Sequence, residues 1–188
     1  MHIDIGLTMN HYLTLTIISD DRPGVIEKVA TIVASHGGNW LESNMSRLAG
    51  KFAGILLVNV ETRQQPKLLQ ELGALSTEGI KIIAEPTTES DQELGEHLLL
   101  TLVGNDRPGI IGELSSILTR LDVNVEELCT NCEDAPMSSE TLFKASAVIS
   151  FLNSNIQREE LRYELELLSD DLIVELEVLS DEPSLKDC

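Results

Sequence analysis

Short apolar runs alternate with helical patterns along this chain, and the same order occurs twice. The segment His11–Ser19 is rich in β-branched residues and is bounded by turn residues, which predicts a strand. After the junction Asp21–Gly24, apolar residues recur at i, i+1, i+4, i+7 and i+8, which predicts one buried face of a helix. These residues are Val25, Ile26, Val29, Ile32 and Val33. Pro23 suits the first helical turn, where its missing N–H costs nothing.

The rest of the first unit predicts a hairpin, a second helix and a last strand. Trp40–Leu48 and Phe52–Val60 read as two strands joined by the turn at residues 49–51. A helix beginning at Pro66 has an apolar inner face, and Ile80–Glu85 forms a fourth strand. The inner face consists of Leu68, Leu69, Leu72 and Leu75. The predicted order is therefore βαββαβ.

A second unit repeats this order. When Leu13–Lys28 is aligned with Leu98–Glu113, eight of the 16 positions are identical. The second hairpin has a longer connection, Cys132–Thr141, and the spacing of Ser154 and Gln157 predicts a capping box for the next helix. The predicted helical faces are Ile110, Ile111, Leu114, Ile117 and Leu118, and then Leu161, Leu165 and Leu168. Such doubling indicates a duplication within the chain.

The expected fold class is α+β, with two ferredoxin-like βαββαβ domains in tandem. Each domain should have an antiparallel sheet with its helices on one face. The predicted boundaries are residues 11–86, a polar linker at 87–97, and residues 98–180. The face of each sheet without helices, and the edge strands, must then be covered or otherwise protected from pairing with other strands.

Charge and composition narrow the possible functions. The net charge of −19 and the 3% aromatic content argue against direct nucleic-acid binding, which needs basic surface or stacking side chains. An acidic surface could face a basic protein partner. The sequence contains no 18-residue apolar stretch and no signal-peptide pattern, so we expect a cytoplasmic protein that does not contact membranes.

The repeated Asp-Arg-Pro-Gly motif lies where a strand ends and a helix begins. The first amides of a helix lack intrahelical partners and carry partial positive charge, so the junction could hold a small anion such as a carboxylate. Gly24 and Gly109 remove the Cβ that would keep a ligand from the backbone. A well-formed turn and cap is the simpler alternative, and both remain open at this point.

The strand followed by "DRPGVI" or "DRPGII", with Asn39 or Asn124 opening the next strand, resembles the ACT domain. Two such units, with "APMS" in the second hairpin, resemble the glycine cleavage system transcriptional repressor family. The resemblance implies a non-enzymatic, cofactor-free regulator that binds a small amino acid such as glycine between ACT units. It also implies action on glycine cleavage genes through a protein partner such as a transcription activator, and the possibility of a homodimer.

The resemblance also implies which residues bind the ligand. It assigns the glycines and the apolar residues after them as backbone donors, and the asparagines as readers of an ammonium or carboxylate group. The implied set is Asp21, Arg22, Pro23, Gly24, Val25 and Asn39, with Asp106, Arg107, Pro108, Gly109, Ile110 and Asn124. Trp40 stands where the second unit has Val125, so we expect the indole to fill or wall the first pocket and the two sites to differ.

Two alternatives remain open. Cys129 and Cys132 have the CxxC spacing of a redox or metal protein, but they lead into a hairpin rather than a helix, and no second ligand pair follows. Three cysteines predict no disulfide framework, and the four histidines show no ligand spacing. The other alternative is an ACT pair that binds no ligand and acts as an adaptor.

Overall fold

A computed structural model describes residues 10–87, 96–134, 141–151, 158–168, 172–179 and 185. The chain divides into two units, Met1–Asp91 and Gln92–Cys188. None of the helices in the described ranges is long and apolar enough to cross a membrane.

The first unit is a four-stranded antiparallel sheet with two helices. In chain order its elements are β1 (Asn10–Asp20), α1 (Val25–Ser35), β2 (Asn39–Leu48), β3 (Lys51–Glu61), α2 (Gln65–Ala74), which continues as a short 3-10 helix (Leu75–Glu78), and β4 (Lys81–Thr87). The strands lie in the order β2-β3-β1-β4, and all neighbours are antiparallel.

The second unit has the same topology. Its elements are β5 (His97–Asn105), α3 (Ile110–Arg120), β6 (Val123–Asp134), β7 (Thr141–Phe151), α4 (Arg158–Glu166) and β8 (Ile173–Val178). The strand order β6-β7-β5-β8 matches that of the first sheet. The prediction of two βαββαβ units in an α+β chain is thereby confirmed.

Each unit has its own apolar core between the helices and one face of the sheet. In α1, Val25, Val29 and Val33 form the buried stripe, whereas Ile26 is 51% exposed. In α2, Leu69 is likewise exposed beside the buried Leu68. The prediction placed both residues on the buried faces and was wrong, because adjacent residues of a helix lie about 100° apart around its axis.

The second hairpin also differs from its prediction. Strand β6 continues through Cys132 to Asp134, so both cysteines of the CxxC motif lie within a strand rather than on a strand and a loop. The remainder of the connection, residues 135–140, lies outside the described residues, as does the predicted capping box of Ser154 and Gln157.

A β-bulge recurs at the same place in both units. The register of β2 against β3 shifts between Trp40 and Glu42, and that of β6 against β7 shifts between Val125 and Glu127. A bulge inserts one extra residue and is a specific feature of a fold rather than a defect. Its repetition adds an independent structural argument for duplication.

Candidate functional site

The strand-to-helix junctions of the two units have nearly identical backbones. Gly24 has φ 92° and ψ −2°, and Gly109 has φ 93° and ψ −6°. This left-handed conformation strongly favours glycine. No atom lies within 4 Å of the position that a Cβ would take at Gly24, so backbone conformation, and not lack of space, requires glycine there.

The helices that follow begin without a side-chain cap. Neither Gly24 nor Gly109 offers a side-chain hydrogen bond to the first turn. The earliest intrahelical bonds are those from the Lys28 amide to the Gly24 carbonyl (3.1 Å) and from the Glu113 amide to the Gly109 carbonyl (3.0 Å). The amides of residues 25–27 therefore precede the helical hydrogen-bond ladder, as expected of an anion seat.

Each junction is tied to the neighbouring hairpin by its aspartate. The Asp21 amide donates to the Gly50 carbonyl at 3.0 Å, and the Asp106 amide donates to the Thr141 carbonyl at 2.8 Å. In unit 1 the Asp21 carboxylate also pairs with Arg47 (Oδ2 to Nε, 2.8 Å). The backbone amides of both aspartates thus hold the loop against the sheet.

The second unit replaces this ion pair by a thiol. Arg47 lies opposite Phe52 in the register, and Cys132 lies opposite Phe143, so the two side chains occupy equivalent places. Local desolvation, followed by the charge and hydrogen bond of Asp106, raises the pKa of the Cys132 thiol. The raised pKa disfavours the reactive thiolate.

The junction arginines reach the end of the second helix in each unit. An Arg22 Nη2 group donates to the carbonyl of Glu78, at the end of the short 3-10 helix. An Arg107 Nη2 group lies 3.5 Å from the carbonyl of Leu168, which follows α4. Arg107 also pairs with the Glu113 carboxylate (Nη1 to Oε1, 2.7 Å). Both arginines thus connect the loop to its own domain, whatever they contribute to a ligand.

A surface pocket of about 530 Å³ opens at the unit 1 junction. Five of the predicted site residues line it, together with three that the sequence analysis did not assign. The lining comprises Asp21, Arg22, Pro23, Gly24 and Val25, and additionally Ile26, Glu27 and Phe52. The pocket combines the uncapped start of α1, an apolar wall and two carboxylates.

The predicted asparagines do not lie with the junction of their own unit. Asn39 pairs with Asn59 on β3, whereas Asp20 pairs with Lys51, eight residues away on the same strand. At about 3.3 Å per residue, this separation is about 26 Å. Asn124 lies in the corresponding place, opposite Ser150, while the Asp106 amide bonds to Thr141. Within one unit, neither asparagine joins the residues of the loop.

Trp40 likewise lies away from the pocket. It follows Asn39 on β2, opposite Val58, and it is half-buried against the unit 1 core. Trp40 lies at the other end of the sheet from the junction pocket of its own unit, and the expectation that the indole fills or walls a site between ACT units stays a prediction. Phe52 supplies the aromatic ring of the pocket instead.

The two junctions differ in charge. Lys28 of α1 is replaced in α3 by Glu113, and Glu27 is replaced by Gly112. Lys28 pairs with the carboxylate of Glu78 and thereby lowers the pKa of Glu78. A Glu113 carboxylate oxygen lies 3.9 Å from the Cβ position of Gly109, so the start of α3 already faces an anionic side chain of its own.

The CxxC cysteines do not form a pair. Cys129 and Cys132 are three positions apart on β6, and successive side chains of a strand point to opposite faces, so the two thiols diverge. Cys132 is a free, exposed thiol. Among the described residues, no group of three or more His, Cys, Asp or Glu side chains could hold a metal ion.

Comparison with known proteins relates the first unit to a known family. Residues 11–82 match the family model described as "ACT domain". The first unit is therefore similar to ACT domains. The second unit shares the strand order, the bulge and the αL glycine of the first. No curated protein matches the chain.

Two solved structures share the fold over nearly the whole chain. The first is an unknown protein from Galdieria sulphuraria, with 22% identity, a TM-score of 0.74, and coverage of 91% of this chain and 99% of that one. The second is a protein provisionally described as a glycine cleavage system transcriptional repressor. It has 16% identity and a TM-score of 0.67, and the match covers 92% of this chain and 99% of that one. At these identities the likeness establishes the ACT-type fold alone.

Proposed function

We propose that this protein is a non-enzymatic regulator that senses a small amino acid through the pocket of its first ACT domain. The observation that carries the proposal is the uncapped start of α1, which opens into a pocket that also contains carboxylates. An amino acid is a zwitterion, so its binding site needs one group that attracts a carboxylate and another that attracts an ammonium. In this proposal the helix start supplies the first and the carboxylates of the pocket supply the second.

The two ends of the ligand have separate seats in this proposal. The amides of Val25 and Ile26 donate to the ligand carboxylate, assisted by the helix dipole. The carboxylates of Asp21 and Glu27 receive its ammonium group. Ile26 and Phe52 limit the size of the side chain that the ligand can carry. A small amino acid such as glycine or serine suits this pocket best, because its side chain needs the least space.

The second ACT-type unit is proposed to bind a carboxylate more weakly. Its helix start has the same conformation, but Glu113 lies beside Gly109, and like charges repel. Gly112, at the place of Glu27, removes a seat for the ammonium group. The ligand-binding roles that the resemblance implies for Pro108 and Ile110 of this unit stay predictions.

A calorimetric and thermal-shift panel of the common amino acids tests the sensor. We expect at least one small amino acid, glycine or serine among them, to raise the melting temperature at millimolar concentration, since binding to the folded state alone stabilises it. Glu27→Gln should weaken this shift. Glu113→Gln, which neutralises a carboxylate in the same turn of α3, is the matched control and should retain it.

The outcomes separate sensor from adaptor. If no amino acid shifts the melting temperature of the wild type, the sensor proposal fails and a ligand-free ACT adaptor is favoured. If the shift occurs, is kept in Glu27→Gln and increases in Glu113→Gln, the ligand belongs to the second unit. Both results exclude the unit 1 assignment.

The regulatory output is proposed from the resemblance to glycine cleavage repressors, together with the charge of the chain. A net charge of −19 is unsuited to phosphate contacts, so repression would act through a protein such as a transcription activator in the cytoplasm. A reporter fused to a glycine cleavage promoter should rise in activity when the gene for this protein is deleted. An unchanged reporter, or retention of promoter DNA by the purified protein alone, would contradict this route.

A further inference from the structure

Strand β4 lies at an edge of the unit 1 sheet. It pairs with β1 on one side, and no strand in the described part of the chain pairs with its other side. Its register against β1 runs from Lys81 to Thr87 without a shift, whereas β2, at the opposite edge, is interrupted by the bulge. An unbulged edge strand presents backbone groups that can pair with another strand. Because Pro86 has no N–H to donate, such pairing is favoured over residues 81–85.

The exposed side chains of β4 form an ordered pattern of charge. Ile82 and Ala84 pack against the unit 1 core, so the residues that alternate with them lie on the sheet face away from the helices. These residues are Lys81, Ile83 and Glu85. All three are exposed, and Ile83 is 63% exposed. A base, an apolar residue and an acid thus follow one another along this face at steps of two residues.

Antiparallel pairing of β4 with a second copy of itself matches these side chains. A two-fold axis through Ile83 places this residue opposite Ile83 of the second copy, and it places Lys81 opposite Glu85 of the second copy. Side chains directly opposite each other in such a pair have their Cβ atoms about 4.5–5.5 Å apart, which is close enough for a lysine to pair with a glutamate. The symmetry makes this pair occur twice. The edge strand is therefore complementary to itself in charge.

Exposed apolar side chains continue from Ile83 across the same face. Ile83 lies opposite Thr16 on β1, and Thr16 lies opposite Ile55 on β3. Ile18 follows Thr16 by two positions on β1 and shares its face. Ile18 is 45% exposed and Ile55 is 54% exposed. Pairing of two β4 strands would bring the two Ile83 side chains together between two such apolar surfaces and remove part of their area from water.

The corresponding strand of unit 2 lacks this pattern. Strand β8 is likewise at an edge, and its residue Glu175 lies opposite Thr101. In unit 1 the equivalent residue, Thr16, lies opposite Ile83. The same two-fold pairing of β8 would place Glu175 opposite Glu175 of the second copy, and like charges directly opposite each other are destabilising. The charge pattern therefore favours β4, and not β8, as the edge that pairs with itself.

We propose that this protein forms a homodimer in which the β4 strands of two copies pair antiparallel about Ile83. This pairing joins the two four-stranded unit 1 sheets into one continuous sheet. Lys81 of each copy binds Glu85 of the other. The pocket at the unit 1 junction contributes no residue to the contact, so the dimer and the amino-acid sensor can fail independently.

Sedimentation equilibrium over the micromolar range tests the dimer. We expect the wild-type protein to approach the mass of two chains as its concentration rises. Lys81→Glu should raise the dissociation constant at least about tenfold, because both Lys–Glu pairs become contacts between like charges. Lys67→Glu, at an exposed position on α2, changes the net charge equally and is the matched control. It should leave the dissociation constant nearly unchanged, since charges away from the contact are screened.

Charge reversal of the opposite residue supplies a rescue. Glu85→Lys should also raise the dissociation constant at least about tenfold, although it reduces the net negative charge that opposes association. The double variant Lys81→Glu/Glu85→Lys restores opposite charges across the axis and should recover the wild-type affinity. Ile83→Glu, which copies Glu175 of β8, should give a monomer. All these side chains are exposed, so the far-UV circular dichroism of the variants should match that of the wild type.

Three results would overturn the proposal. The first is a wild-type protein that remains a monomer up to millimolar concentration. The second is a dimer whose dissociation constant is unchanged in Lys81→Glu, Glu85→Lys and Ile83→Glu, because the contact would then lie on another surface. The third is a double variant that associates as weakly as either single charge variant, because the two residues would then not face each other.

Discussion

The left-handed glycine before the first helix of each unit predicts the sign of the stability change when alanine replaces it. In Gly24→Ala, a Cβ is forced into φ 92°, which costs about 1–2 kcal/mol for an L-residue. No neighbouring atom lies within 4 Å of the new Cβ, so no steric clash adds to this cost. The smaller entropy of the unfolded chain returns about 0.4–1 kcal/mol. The expected net loss in the free energy of unfolding is about 1 kcal/mol.

Gly73→Ala is the matched control within the same unit. Gly73 lies inside α2, and a Cβ there would also meet no atom within 4 Å. Because alanine is favoured over glycine in a helix interior, this variant should be more stable by about 0.5–1 kcal/mol. The same substitution thus destabilises at one glycine and stabilises at the other.

Urea denaturation measures both effects as shifts of the midpoint at constant slope. For a unit of this size, about 1 kcal/mol also moves the melting temperature by about 4–8 °C. If Gly24→Ala is as stable as the wild type while Gly73→Ala gains stability, the backbone at the junction is not left-handed. The reasoning that requires glycine there, and with it the geometry of the ligand seat, would then be refuted.

Three further predictions concern a core residue, an ion pair and a thiol. Leu72→Ala, in the unit 1 core, should lower the free energy of unfolding by about 2–5 kcal/mol, measured by urea denaturation followed through Trp40 fluorescence. Leu69→Ala, at an exposed position, should lower it by less than about 1 kcal/mol. Equal losses of stability in the two variants would contradict the assigned helix face. Since Lys28 lowers the pKa of Glu78, their pair should stabilise the fold above the ordinary value of 4.5 and lose this effect as pH falls below it. The stability difference between the wild type and Lys28→Met should therefore shrink on acidification, and a difference that grows would oppose the assignment. Asp106→Asn should shift the alkylation of Cys132 by iodoacetamide to lower pH, because desolvation and then the Asp106 carboxylate raise the pKa of this thiol; an unchanged pH–rate profile would show that Asp106 does not act on it.

The fold was predictable because periodicity and turn chemistry agree in both copies. The turn at Ala49 and Gly50 has positive φ at both residues, as a two-residue hairpin connection requires. The apolar stripes located the helices, although they could not separate the buried Val25 from the exposed Ile26 at its side. Such neighbours are distinguished by where the sheet lies, which is tertiary information.

The lining of the unit 1 pocket was only partly predictable. The loop residues that line it were assigned because they are contiguous in sequence and occur twice. Asn39 was assigned to the same site by resemblance, but the register places it at the far end of its own sheet. Phe52 and Glu27 were not predicted to line the pocket. The turn at Gly50 indicates only that Phe52 lies opposite Arg47, whereas its place opposite Ser19, beside the loop, depends on the pairing of β1 with β3.

The spacing of the CxxC motif could not show how its two cysteines are arranged. Side chains alternate along β6, so Cys129 and Cys132 lie on opposite faces of the strand.

A titration followed by amide chemical shifts measures amino-acid binding at the start of α1 most directly. Glycine, serine and the other common amino acids are added to labelled protein, and the amides at the start of α1 are compared with those at the start of α3. We expect saturable shifts at Val25, Ile26 and Glu27 with at least one small amino acid, and smaller ones at Ile110 and Ile111. Saturable shifts confined to α3, or none at either helix start at millimolar ligand, would contradict this expectation.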